Sequence, residues 1–171
     1  MVASDVGGAE RFDDPPDEPP RSAVPPTAEP IDPTVSVTLY LRSSASPPAK
    51  RRQTAIRERF DAIDAAGIVP EATVRGWDRH AGDLPGDDPD TLALYDELTA
   101  AVGDRGHLDP FFRESSTGFG DRSVVVPVLC LAVRRDDTVT GLYPCWSDGT
   151  HWSIEDGIRA LETGGAVENL A

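Results

Sequence analysis

The chain has 171 residues, room for one domain of ordinary size plus a tail, and its 30 Asp and Glu against 16 Lys and Arg leave a net charge of −14. A hydrophobic fraction of 39% is too high for a chain disordered throughout, while the longest apolar run, Val124 to Val133, is about half of what a bilayer crossing needs, which excludes a membrane-spanning helix. The first ten residues lack the basic start and apolar stretch of a secretory signal, so the cytoplasm is the expected location, and two cysteines are too few for a disulfide scaffold or a four-cysteine zinc site.

Residues 1–33 hold 8 of the 16 prolines and 8 acidic residues, with Phe12 as the only aromatic. Such a segment buries too little apolar area to offset its ordering entropy, and it reads as a disordered acidic tail ahead of a single domain over 34–171. Val35, Val37, Leu39 and Leu41 then alternate with Ser36, Thr38, Tyr40 and Arg42, the period of a strand with one buried face. Ser46 before Pro47 is a helix start, Ile56, Phe60 and Ile63 form one stripe, and Gly67 ends the helix, which is predicted over Pro47 to Ala66. A second strand is expected within Ile68 to Asp78. Asp88 caps a second helix from Pro89, with Thr91, Tyr95, Leu98 and Val102 on one face and Gly103 and Gly106 closing it.

Three strands follow in the prediction, His107 to Thr117, Ser123 to Arg134 and Thr138 to Trp146, joined by Gly118 to Asp121 and by Arg135-Asp136-Asp137 as hairpin loops. The middle one is apolar on both faces and therefore central, although Pro127 cannot donate to a ladder and points to a bulge or an unpaired flank. Asp148-Gly149 makes a turn, Ser153 and Asp156 form a capping box, and Gly164-Gly165 ends the last helix. The order β-α-β-α-β-β-β-α gives an α+β fold with one mixed sheet of about five strands and helices mainly on one face.

Four groups of residues are candidates for function. Lys50, Arg51 and Arg52 occupy the first turn of the first helix, where the helix dipole disfavours cations by about 0.3–1 kcal/mol each at low salt. With Arg42 and the free N–H groups of the helix start they can hold a phosphate or a nucleic-acid backbone; equally, they can pair with surplus carboxylates or face solvent. Tyr40 and Arg42 share a sheet face with Arg75 and Trp77 if the first two strands are parallel neighbours, an arrangement that can stack bases or contact a protein, though no RNA-recognition signature accompanies it and a covering helix explains Trp77 as well.

Cys130, Cys145, His107 and His151 can form a Cys2His2 metal site in the folded state, since a two-residue Asp136-Asp137 turn sets residue 130 opposite 143 and makes the cysteines diagonal neighbours. Their spacing fits no zinc motif, and two buried thiols with two ordinary histidines are the plainer reading. Cys145 with His151 would be the nucleophile and base of a small hydrolase. No serine elbow, phosphate-binding glycine loop, H-E-x-x-H or dinucleotide fingerprint is present, so no enzyme activity and no cofactor are expected.

The basic residues are 15 Arg and the single Lys50, and Asp outnumbers Glu 20 to 10. Short carboxylates and few lysines suit molar salt, where the Debye length falls to about 3 Å and self-repulsion is screened. In that setting the charge reports the solvent and leaves DNA or RNA open as partners. The segments Val37-Thr38-Leu39-Tyr40-Leu41-Arg42, Val126 to Val133, Gly141-Leu142-Tyr143-Pro144 and Ser153 to Gly157, with the basic helix start, give the chain a pattern over about residues 35–161 that resembles a group of small haloarchaeal proteins labelled helix-turn-helix domain proteins, for which no biochemical activity is established. The resemblance implies a regulatory setting with DNA as partner and carries no site residue. The expected function is thus a non-enzymatic, salt-adapted regulator contacting DNA or another protein, the alternative being a protein-interaction or small-ligand sensing module on the Tyr40, Arg75 and Trp77 face.

Overall fold

The computed structural model describes residues 29–82, 87–116 and 120–171. The acidic tail expected over 1–33 lies outside them up to residue 28, as do Gly118 and Phe119 of the loop expected at Gly118 to Asp121. The chain order is β1 (Val35–Arg42), α1 (Pro47–Ala65), β2 (Glu71–Trp77), β3 (His80–Gly82), α2 (Pro89–Val102), β4 (Gly106–His107), β5 (Arg113–Ser116), β6 (Arg122–Val125), β7 (Leu129–Arg135), β8 (Thr138–Tyr143), β9 (Cys145–Ser147), β10 (Thr150–Trp152) and α3 (Ile154–Thr163). Among the described residues no helix is long and apolar enough to cross a membrane.

The helices form where local chemistry places them. Ser46 Oγ accepts the N–H of Ala49 at the start of α1, and Asp88 accepts the N–H of Asp90 and the Thr91 hydroxyl at the start of α2. At α3, Ser153 and Asp156 satisfy each other's backbone N–H groups in a capping box.

The expectation of one five-stranded sheet is overturned: the strands divide among three sheets, in the orders β2-β1-β7-β8, β10-β9-β4 and β3-β6-β5. The cause is two prolines. Pro127 splits the expected strand at 123–134 into β6 and β7, and Pro144 splits 138–146 into β8 and β9, because neither can donate to a ladder. Each half pairs in a different sheet. The break at Pro127 is satisfied from elsewhere: the Val126 carbonyl accepts from the Arg42 guanidinium at 3.0 Å, that of Pro127 from the Trp77 indole at 3.2 Å, and that of Val128 from the Gln53 amide at 2.9 Å and the Arg42 N–H at 3.0 Å. The expected strand at 107–117 likewise separates, into β4 in one sheet and β5 in another.

In the four-stranded sheet β1 and β2 run parallel, while β7 is antiparallel to both β1 and β8. As its two-sided apolar pattern predicts, β7 is interior. Leu129, Leu131 and Val133 join Val35, Val37, Leu39 and the α1 stripe Ile56, Phe60 and Ile63 in one core, closed by Ile154, Ile158 and Leu161 of α3. Cys130 and Ala132 join Tyr40, Trp77, Leu142 and the α2 residues Leu92, Tyr95, Leu98 and Val102 in a second core on the other face. Two helices therefore cover one face and α2 the other, where the sequence pointed to one face for most of them.

Asp136 and Asp137, both with positive φ (49° and 67°), make the expected two-residue hairpin turn. A bulge between Val133 and Arg134 then shifts the register, so that Leu131 and not Cys130 faces Tyr143.

Candidate functional site

Strands β1 and β2 end together, Arg42 opposite Trp77 in register, and the carboxyl edge of a parallel pair is where open α/β sheets leave a crevice for ligands. Around this edge lie the start of α1, the Pro127 break and the segments carrying Arg79 and Arg113. Arg42 donates through Nε to the Ser44 carbonyl at 2.8 Å and through Nη1 to that of Val126 at 3.0 Å, which fixes its guanidinium at the edge. Burial holds its pKa below the ordinary arginine range, and the charges of Arg79 and Arg113 push it the same way.

The three gather on two neighbouring residues: Val126 accepts the Arg42 guanidinium and donates its N–H to the Arg79 carbonyl at 3.0 Å, while Arg113 pairs with Val125, and none of the three makes an ion pair among the described residues. Elsewhere the arginines find acids: Arg52 meets Glu155, Arg59 Glu162, Arg105 Asp148, Arg122 both Asp96 and Glu114, and Arg135 both Asp32 and Glu168. In a chain of net charge −14, a cationic group left without counter-charges is the departure that asks for an anion from outside. At the same edge Asp78 accepts the Ser43 hydroxyl at 3.2 Å.

Of the four cations named from the sequence, Arg42 is at the edge. Arg52 is held by Glu155 in two hydrogen bonds of 2.9 and 3.0 Å, so its charge is answered inside the molecule. Lys50 and Arg51 are exposed on the first turn of α1 and make no ion pair among the described residues. Arg79 and Arg113 were missed, because they reach Arg42 only through the β3-β6-β5 sheet, in which His80 and Arg113 both pair with Val125.

Tyr40 and Trp77 do share a face with the register expected of parallel neighbours, Tyr40 opposite Arg75. Their rings stack at 4.8 Å and 22° in the second core, with Phe112 edge-on to Trp77 at 5.9 Å, and at 7% and 4% exposure they are closed to an incoming base. Arg75 alone of the three is exposed, on the rim of a cleft of about 370 Å³ that also carries Asp88 and Asp90.

The four metal candidates separate. Cys130 and Cys145 are wholly buried in the second core, where burial pushes both thiols up, Cys145 to about 11. On β9, Cys145 and Ser147 are buried and Trp146 between them faces the other side, where His107 and His151, both paired with Trp146, also stand. Cys145 and His151 thus project from opposite faces of one small sheet and cannot act as nucleophile and base. Among the described residues no three His, Cys, Asp or Glu gather as metal ligands.

A second feature was invisible in the sequence. His107 stacks on Trp146 at 5.9 Å, Trp146 lies tilted against His151 at 5.3 Å and 31°, and His151 stacks on Phe111 at 5.1 Å and 10°, a row of four rings that runs over β4, β9 and β10 to the segment after β4. Its Phe111 end opens on a cleft of about 240 Å³ bounded by Arg52, Pro127, Val128 and Ser153.

A family model described as a helix-turn-helix domain matches residues 30–166. No protein of curated function and no solved structure matches the chain.

Proposed function

The chain belongs to the helix-turn-helix domain family, and from that membership we propose that it is a non-enzymatic regulator that grips the DNA backbone with the carboxyl edge of β1 and β2. The observation that carries the reading is the group Arg42, Arg79 and Arg113, three arginines gathered at Val125 and Val126 without carboxylate partners among the described residues of a strongly acidic chain. Guanidinium forks match phosphate geometry, and Lys50 and Arg51 on the adjoining helix turn extend the same charge. The binding surface is assigned to this edge and not to a pair of successive helices, because among the described residues β2 and β3 lie between α1 and α2, and seven strands lie between α2 and α3. Twenty Asp against one Lys favour a saline cytoplasm as the setting, as in the haloarchaeal proteins the chain resembles.

The test is binding of a fluorescently labelled mixed-sequence duplex by the full chain, followed by anisotropy from 0.1 to 2 M KCl. Joint replacement Arg79→Ala and Arg113→Ala is expected to weaken binding at low salt by roughly tenfold or more and to flatten the log–log salt slope by about 2, one for each phosphate that is no longer neutralised. No binding by the unaltered chain at any salt removes the reading. A small-ligand role for the cleft at Arg75 is the second reading, favoured by its volume of about 370 Å³.

A further inference from the structure

We propose that the cleft between Phe111, His151 and Arg52 receives an unpaired base of a nucleic acid whose backbone lies along Arg42, Arg79 and Arg113, so that the chain prefers strands with unstacked bases over intact duplex. The inference rests on the reading of the basic edge as a backbone-binding surface and adds what that surface selects.

Three observations carry it. The row Phe111, His151, Trp146 and His107 places aromatic faces at the surface: both histidines are exposed and both other rings half-buried, although Phe112, next in the chain, turns its ring fully into the second core. Small proteins keep most aromatic area inside, and a stacked row left at the surface is the platform on which single-stranded nucleic acids lay their bases.

The cleft at the end of this row, about 240 Å³, falls below the range for drug-sized ligands and accommodates one planar heterocycle. It also lies beside the cations. Pro127 and Val128 form its wall, and the carbonyls flanking Pro127 are those that hold the Arg42 guanidinium and the Arg42 backbone. An aromatic slot one residue from a group of arginines that make no ion pair among the described residues calls for a ligand with a flat ring at one end and an anion at the other. A nucleotide in an open strand has both, whereas a base held in a duplex presents only its edge.

The experiment compares a labelled ten-nucleotide oligothymidylate with the blunt mixed-sequence duplex, using the full chain at one KCl concentration at which it binds. Phe111→Ala, and separately His151→Ala, is expected to weaken oligothymidylate binding at least about fivefold while leaving duplex binding within a factor of two, since base stacking is removed and the grip on the backbone is kept. Arg79→Ala with Arg113→Ala is expected to weaken both probes. Thermal melting of each variant establishes folding, and His151→Ala, whose exposed ring supports no core residue, stands in should Phe111→Ala fail to fold. Duplex bound as tightly as oligothymidylate, with neither ring variant changing the difference, overturns the base site and leaves the basic edge standing. Failure of both probes to bind overturns the two together.

Discussion

Gly157 of α3 lies so close to the ring of Tyr143 that a methyl group on its Cα would stand 2.7 Å from Cδ2 of that ring and 2.9 Å from Leu131 Cδ2. The Tyr143 ring is fully buried and tethered, its hydroxyl donating to the Val167 carbonyl at 2.7 Å, so it cannot give way cheaply. Alanine is the better helix former by about 1 kcal/mol, but overpacking against a held ring costs about 1–3 kcal/mol and should win. Gly157→Ala is therefore expected to lower the urea midpoint, and an unchanged or higher midpoint would show that α3 slides to accommodate the methyl.

Acid should loosen the place where the two ends of the described fold meet. The Asp32 carboxyl is held down to about 2 by the N–H and hydroxyl of Thr34 and then by Arg135, and Glu168 is held low by the same Arg135. A depressed carboxyl binds its proton more readily in the unfolded chain, so its stabilisation is complete above the ordinary carboxylate range and disappears as pH falls from about 4 to about 2. Thermal midpoints measured across that interval should fall less steeply in Arg135→Gln than in the unaltered chain. Parallel curves would mean that the arginine does not set these two acids.

The thiols give a third expectation. Both are buried and pushed up, so neither supplies thiolate at neutral pH. Iodoacetamide at pH 8 should leave Cys130 and Cys145 unmodified in the folded chain and alkylate both in urea, read by intact mass. One thiol labelling rapidly without denaturant would contradict the buried placement.

Salt supplies the fourth. With −14 charges to screen, the melting temperature should climb by several degrees between 0.1 and 3 M KCl. A flat profile would mean that the acidic excess does not strain the fold, and the saline setting would lose its support.

What could be read from the sequence was what is decided within four residues. Ser46, Asp88 and Ser153 each bond a backbone N–H two or three positions on, and those caps located all three helix starts. The turn at Asp136-Asp137 was legible for the same reason. The division into three sheets was not: Pro127 and Pro144 could be recognised as interruptions, but which sheet each half joins depends on partners up to a hundred residues away, such as β1 for β7 and β4 for β9. One bulged residue in β8 was enough to displace the expected opposition of 130 and 143. The site divided the same way. Arg42 stood out as a cation at the end of a strand, whereas the approach of Arg79 and Arg113 and the stacking of Phe111 on His151 exist only once β3, β5 and β10 have found their neighbours.

Strand β7 gives alternate residues to different cores, Leu129, Leu131 and Val133 to one and Cys130 and Ala132 to the other. Neither layer can lose its grip on that strand without stripping the opposite one of its floor. The helices α1 and α3 on one side and α2 on the other are thereby bound into a single cooperative unit, and heating should release both in one transition, however differently the two sides are built.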